Sequence, residues 1–167
     1  MTLHKLLEEI EADPPARVPG DAVFLSANPN GAPAALLTNL RYNHVLHERV
    51  ILANVHFDEI PYLSDERRGH IEDLGNQIYR VTVNFGFMEE PNVPGALANL
   101  TLPGPPMDPS TTPYFINRTR VIATDLPGMA RWREYFYTIM RRNAANAADF
   151  FCLPPTRVFE ISTAIEM

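Results

Sequence analysis

Ala22-Val23-Phe24-Leu25-Ser26-Ala27-Asn28-Pro29-Asn30-Gly31-Ala32-Pro33-Ala34-Ala35-Leu36-Leu37 is the stretch that decides the fold class. Ala22 to Ala27 is an apolar run of strand length. Asn28-Pro29-Asn30-Gly31 is turn chemistry, with a proline to set φ and a glycine to permit positive φ. Pro33 suits the first position of a helix, where its missing N–H costs no intrahelical bond, and Leu36, Leu37 and Leu40 then form one apolar stripe ending near Asn43. A strand that turns tightly into a helix is the unit from which parallel sheets are built.

The pattern repeats on either side. Val50 to Val55 is a second apolar, β-rich run with the character of a strand buried on both faces, and Ile78 to Phe87 alternates with Val81, Val83, Phe85 and Phe87 on one side. Tyr114 to Ala123 is extended and rich in aromatic and β-branched residues, and Arg157 to Ile165 alternates again. Leu3, Leu6, Leu7 and Ile10 fall at helical spacing before Asp13-Pro14-Pro15 stops them. Ser64 to Leu74 reads as a short helix or turn, Ala96, Leu97 and Leu100 as a helix after Pro94, and Leu102 to Pro113 as a loop. Trp132, Phe136, Ile139, Met140, Asn143 and Ala147 share a side of a long helix over Met129 to Phe151. These elements predict a single α/β domain, a mixed, partly parallel sheet of about five strands covered by helices.

The whole-chain numbers exclude several functions. A length of 167 residues suits one domain. Fourteen Lys and Arg against 20 Asp and Glu leave a net charge of −6, so no basic field gathers nucleic acid. The one cysteine, Cys152, forms neither an internal disulfide nor a thiolate zinc cluster, which fits a reducing compartment. The uncharged stretches Ala22 to Leu40 and Pro91 to Met107 approach the length of a membrane span, but prolines and turn residues break both. The first residues lack the plan of a secretory signal.

Each chemically suggestive residue has an ordinary structural reading. Cys152 follows a helix whose negative carboxyl end disfavours a thiolate. His44 and His47, with His56 further on, are too few for a closed zinc site and suit the last carbonyls of a helix. Glu89 and Glu90 are adjacent, do not face one another on a helix, and complement a helix start. Arg141-Arg142 beside Asn143 reads as a solvated face. The amides after Gly31 could hold a phosphate at a sheet edge, but the glycine spacing of the common phosphate motifs is missing. No catalytic constellation, metal site or cofactor is expected.

The order of motifs carries more. Arg17-Val18-Pro19-Gly20 before Ala22-Val23-Phe24-Leu25, then Val45-Leu46-His47-Glu48-Arg49-Val50, Phe85-Gly86-Phe87-Met88-Glu89 and Pro91-Asn92-Val93-Pro94 resemble the C-terminal domain of Kup/HAK/KT potassium uptake permeases. Tyr114-Phe115, Trp132-Arg133-Glu134, Arg142-Asn143-Ala144 and Phe150-Phe151 before Leu153-Pro154 continue the series to about Glu166. Asp21, Thr38, Tyr42 and Asn117 depart from that pattern. The resemblance implies a cytoplasmic regulatory and assembly domain, residues 17–167, of a potassium:proton symporter. Residues 1–16 are then a lead-in following a membrane domain outside this chain. It further implies a place on the cytoplasmic face of the cell membrane, with the transporter's transmembrane domain as partner, and a homodimer. The alternative is an adenine-nucleotide or cyclic dinucleotide sensor, with Asn28, Asn30 and Gly31 and the segment His47, Glu48 and Arg49 as its ligand set.

Overall fold

The computed structural model describes residues 1–122 and 147–166. Strand β1 (Ala16–Leu25) leads through helix α2 (Ala34–Asn43) to β2 (Val45–Asp58), which lies parallel to β1. Helix α1 (Leu3–Ala12) precedes them. A short 3₁₀ turn (Asp65–Arg67) and β3 (Gly69–Asp73) follow, then β4 (Ile78–Gly86), α3 (Val93–Asn99), β5 (Tyr114–Ile122), the helical turn α4 (Ala147–Phe150) and β6 (Val158–Glu166). The sheet order is β3-β4-β2-β1-β5-β6, parallel throughout except for β3, which is antiparallel to β4.

Neighbouring residues on a strand point to opposite faces, and here both faces are covered. Val23, Ile51 and Tyr79 face one core, with Val93, Leu97 and Met107 packed over them. Phe24, Leu52 and Ile78 face the other, beneath Leu3, Leu6 and Ile10 of α1 and Leu36 of α2. Two covered faces explain the continuous apolar runs, since each fully buried Val, Leu, Ile or Phe contributes about 1.5–3 kcal/mol. Phe115 lies between Phe24 and Phe159, with ring centroids 4.5 and 5.1 Å away.

The sheet has one strand more than the sequence predicts. β3 lies within Ser64 to Leu74, where a short helix or turn was expected, and only the Asp65–Arg67 part is helical. Its residues Gly-His-Ile-Glu-Asp carry little apolar signal because β3 is an edge strand, and edges are kept polar to block further pairing. β1 begins at Ala16 and not at Ala22, with a register shift between Val18 and Asp21 where Pro19 and Gly20 (φ 96°) interrupt the ladder. Pro33 is the residue before the first turn of α2, and His44 ends that helix in the left-handed conformation (φ 55°), its N–H donating to the Leu40 carbonyl. Of the helix expected over Met129 to Phe151, residues 123–146 lie outside the described residues, and Ala147–Phe150 is helical.

Candidate functional site

Among the described residues, two clefts open at opposite ends of β1. The first, about 1250 Å³, lies where β1 and β2 begin and is lined by Arg17, Asp21, Glu48, Arg49, Asp108 and Arg157 among others. Its floor is an ion pair set by register, since Asp21 lies opposite Arg49. Arg49 Nε and Nη2 donate to the two Asp21 carboxylate oxygens, and its Nη1 donates to the carbonyls of Pro103 (2.9 Å) and Pro105 (2.7 Å). The Arg49 side chain is only 5% exposed. Four of its N–H bonds are therefore committed, two to Asp21 on β1 and two to tying the 100–113 loop onto the sheet. Arg17 donates to the carbonyls of His47 and Asn76, and Glu48 accepts from the Gly20 amide. Burial lowers the His47 pKa, against the opposing pull of Asp21.

The second cleft, about 580 Å³, lies at the carboxyl end of β1 beside the first half of β5, between Ser26, Asn28 and Pro33 on one side and Ile116, Asn117 and Phe151 on the other. The chain crosses from one half of the sheet to the other at β1, with β2 on one flank and β5 on the other. In open α/β sheets this switch point is where a crevice forms. The loop that walls it is held internally: Asn28 N–H donates to Ser26 Oγ, Ser26 Oγ–H to the Asn28 carbonyl, and Asn30 N–H to Asn28 Oδ1. Thr2 bridges to Gly31, fixing the start of α1 at the same edge.

The six residues expected to act together are thus divided between two edges. Asn28, Asn30 and Gly31 follow the end of β1, while His47, Glu48 and Arg49 pair with its beginning, Val18 to Asp21. From Val18 to Leu25 is about 20 Å of strand. The histidines separate likewise: His44 caps α2, His47 lies opposite Val18 and His56 opposite Asn84. No cluster of three or more His, Cys, Asp or Glu suited to a metal ion occurs among the described residues.

Glu89 and Glu90 differ from the expected helix-start pair. α3 begins at Val93 behind Asn92, whose side chain accepts from the Gly95 amide. Glu89 sits in the turn after β4 and takes two hydrogen bonds from Arg68, 2.8 and 2.9 Å, and one from the Gly86 amide. The Arg68 hydrogen bonds hold the Glu89 carboxyl at about 2, outweighing the burial that pushes it upward. Glu90 Oε1 lies 3.5 Å from Cys152 Sγ, and burial together with this carboxylate raises the thiol pKa. Arg141, Arg142 and Asn143 lie outside the described residues. The two arginine–carboxylate pairs were missed from sequence because partners 28 and 21 positions apart leave no local periodic signal.

A family model described as the K+ potassium transporter C-terminal domain matches residues 19–167. The chain belongs to this family. Similar curated proteins share the assignment along its length. It is 46% identical over 165 residues to the probable potassium transport system protein Kup of Methylibium petroleiphilum, covering 99% of this chain and 26% of that protein. With probable potassium transport system protein Kup 1 of Novosphingobium aromaticivorans it shares 43% over 152 residues, 91% of this chain and 24% of the relative. Kup 2 of Chromobacterium violaceum is 41% identical over 167 residues, 100% of this chain and 27% of the relative. This potassium transporter C-terminal domain therefore spans about a quarter of the length of the curated relatives it matches. No solved structure matches it. Among its described residues no helix is long and apolar enough to cross a membrane.

Proposed function

We propose that this domain regulates and assembles a potassium:proton symporter from the cytoplasmic side, acting by contact with the membrane-spanning portion and working in a homodimer. The observation that carries the reading is the match of residues 19–167 to the C-terminal domain of potassium transporters, in relatives about four times its length. A contact that differs between inward-facing and outward-facing states by a few kcal/mol is sufficient to shift their populations. A sheet with both faces covered suits that task, since a rigid body transmits a contact at one edge without deforming. Rubidium uptake by the full-length transporter with this domain deleted is expected to change in rate or in regulation. Unchanged uptake, abundance and membrane placement would refute the proposal, and light scattering of the domain tests the homodimer.

The cleft at the carboxyl end of β1 favours a second reading, the sensing of an adenine nucleotide. Its volume of about 580 Å³ suits a small molecule. Pro33 and Ala34, at the start of the ten-residue α2, line it beside Asn28, and a helix start is a common place for a phosphate. In this reading Asn28, Asn30 and Gly31 border the ligand, while His47, Glu48 and Arg49, at the opposite end of the strands, lie outside that cleft. Calorimetry with ATP, cyclic AMP and cyclic di-AMP tests it, and silence with all three at high protein concentration counts against it.

A further inference from the structure

The carboxyl ends of β2 and β4 carry an apolar surface that the fold leaves in water. Nine large hydrophobic side chains are exposed among the described residues, and six of them gather here: Phe57, Ile60, Tyr62, Phe87, Met88 and Phe150. Backbone and ring contacts tie Ile60 to Phe87 and Phe57 to Phe150. Phe87 and Met88 amides donate to the carbonyls of Ile60 and Pro61, and the Phe57 ring lies 6.3 Å from Phe85 and 6.1 Å from Phe150. The surface is also held in shape. Glu89 grips Arg68 immediately behind it, and Gly86 packs so closely that a Cβ there would meet the Pro61 carbonyl oxygen at 2.1 Å. A contiguous exposed apolar patch on a rigid frame marks an interaction site.

The charges around the patch select the partner. Asp58, Glu59, Asp65, Glu66, Glu90 and Asp149 border it in sequence or in space, and Arg68 is already neutralised by Glu89, which leaves Arg67 as the opposing cation of this loop. An acidic rim is repelled by the anionic inner leaflet of a membrane. It also repels a second copy of itself across a two-fold axis. A basic, partly apolar chain satisfies both the rim and its centre. The cytoplasmic loops of membrane-spanning helices have that composition, because Lys and Arg accumulate on that side. The matched region makes up about a quarter of the length of the curated relatives. Thr2, paired with Gly31, lies at this same carboxyl edge of the sheet.

We propose that the Phe57, Ile60, Tyr62, Phe87, Met88 and Phe150 patch with its acidic rim docks a Lys/Arg-bearing cytoplasmic loop of the transporter's own membrane-spanning portion. This rests on the reading that the domain acts by contact with that portion. The test uses the full-length transporter in its membrane, with the photo-crosslinking residue benzoylphenylalanine placed at Phe87 or at Met88. Illumination is expected to link either position to a basic loop of the membrane-spanning portion, as mapped by mass spectrometry. The same residue at Tyr42, still more exposed on α2, is expected to give no such link. Reversing the rim with Glu59→Lys and Glu66→Lys, both exposed, is expected to lower the yield about tenfold. Links to lipid, links to the same patch of a second copy, or no link from either position would overturn the proposal. Deleting the domain separates this from the broader reading. If deletion alters rubidium uptake while Phe87 and Met88 form no link, the docking assignment fails alone; if deletion alters nothing, the contact reading fails with it.

Discussion

Glu89→Gln removes the negative charge from the Arg68–Glu89 ion pair without changing the side chain's size. In the native domain the Glu89 carboxylate accepts from both terminal nitrogens of Arg68 and from the Gly86 amide, and the guanidinium lies 5.5 Å from the centre of the Phe85 ring. Its pKa is held at about 2 against an ordinary value of 4.5. That depression corresponds to about 3 kcal/mol of linkage at full value. The pair keeps 15–17% side-chain exposure, and screening by water reduces the expected loss to about 1–2 kcal/mol. Because the folded pKa is depressed, the contribution is complete above pH 4.5 and disappears as pH falls toward 2. More than half is therefore gone at pH 3. Urea denaturation followed by far-ultraviolet circular dichroism measures this directly, and at pH 7 the midpoint is expected to fall by about 0.5–1 M. At pH 3 the gap between native and variant is expected to be less than half its pH 7 value. Glu66→Gln, exposed in the same region, is expected to shift stability by under about 0.5 kcal/mol. A gap of equal size at both pH values, or none at pH 7, would refute the assignment of the low pKa to the Arg68 pair.

Three other outcomes are expected. Gly86→Ala sets a Cβ against the Pro61 carbonyl, a backbone atom that cannot rotate away, and is expected to cost about 3 kcal/mol in thermal or urea unfolding; a neutral result contradicts the packing of the Ile60 to Met88 corner. Arg49→Met leaves Asp21 unpaired and frees the carbonyls of Pro103 and Pro105. A loss of about 3–5 kcal/mol is expected, with faster proteolysis within residues 101–113, and Asp21→Asn added to it should restore part of the stability. Alkylation of Cys152 by iodoacetamide at pH 8 is expected to be slower than that of a free thiol and to accelerate in Glu90→Gln, because burial and the Glu90 carboxylate both oppose the thiolate; an unchanged rate in Glu90→Gln removes that carboxylate from the account.

Fold class and family are legible in the amino-acid order alone. Ala22 to Leu25, Val50 to Val55 and Ile78 to Phe85 form continuous or alternating apolar runs because one or both of their faces are covered, and that requirement is written at successive positions where periodicity reveals it. Turn residues such as Asn28-Pro29-Asn30-Gly31 act over four positions and were legible for the same reason. Tertiary structure alone decided what depends on distant partners. The polar β3 is a strand only because β4 offers it an edge. Asp21 meets Arg49 across β1 and β2, and Arg68 meets Glu89 across the end of β4, by register and loop path. Parallel pairing of β1 and β2 also sends Asn28 to one edge and His47 to the other. Residues close in sequence order were thereby placed at opposite ends of the same strands, while Phe57, Phe87 and Phe150, distant in the chain, came to share one surface. A strand carries its side chains about 3.3 Å further along the sheet with every residue, so the direction of pairing decides which groups can meet.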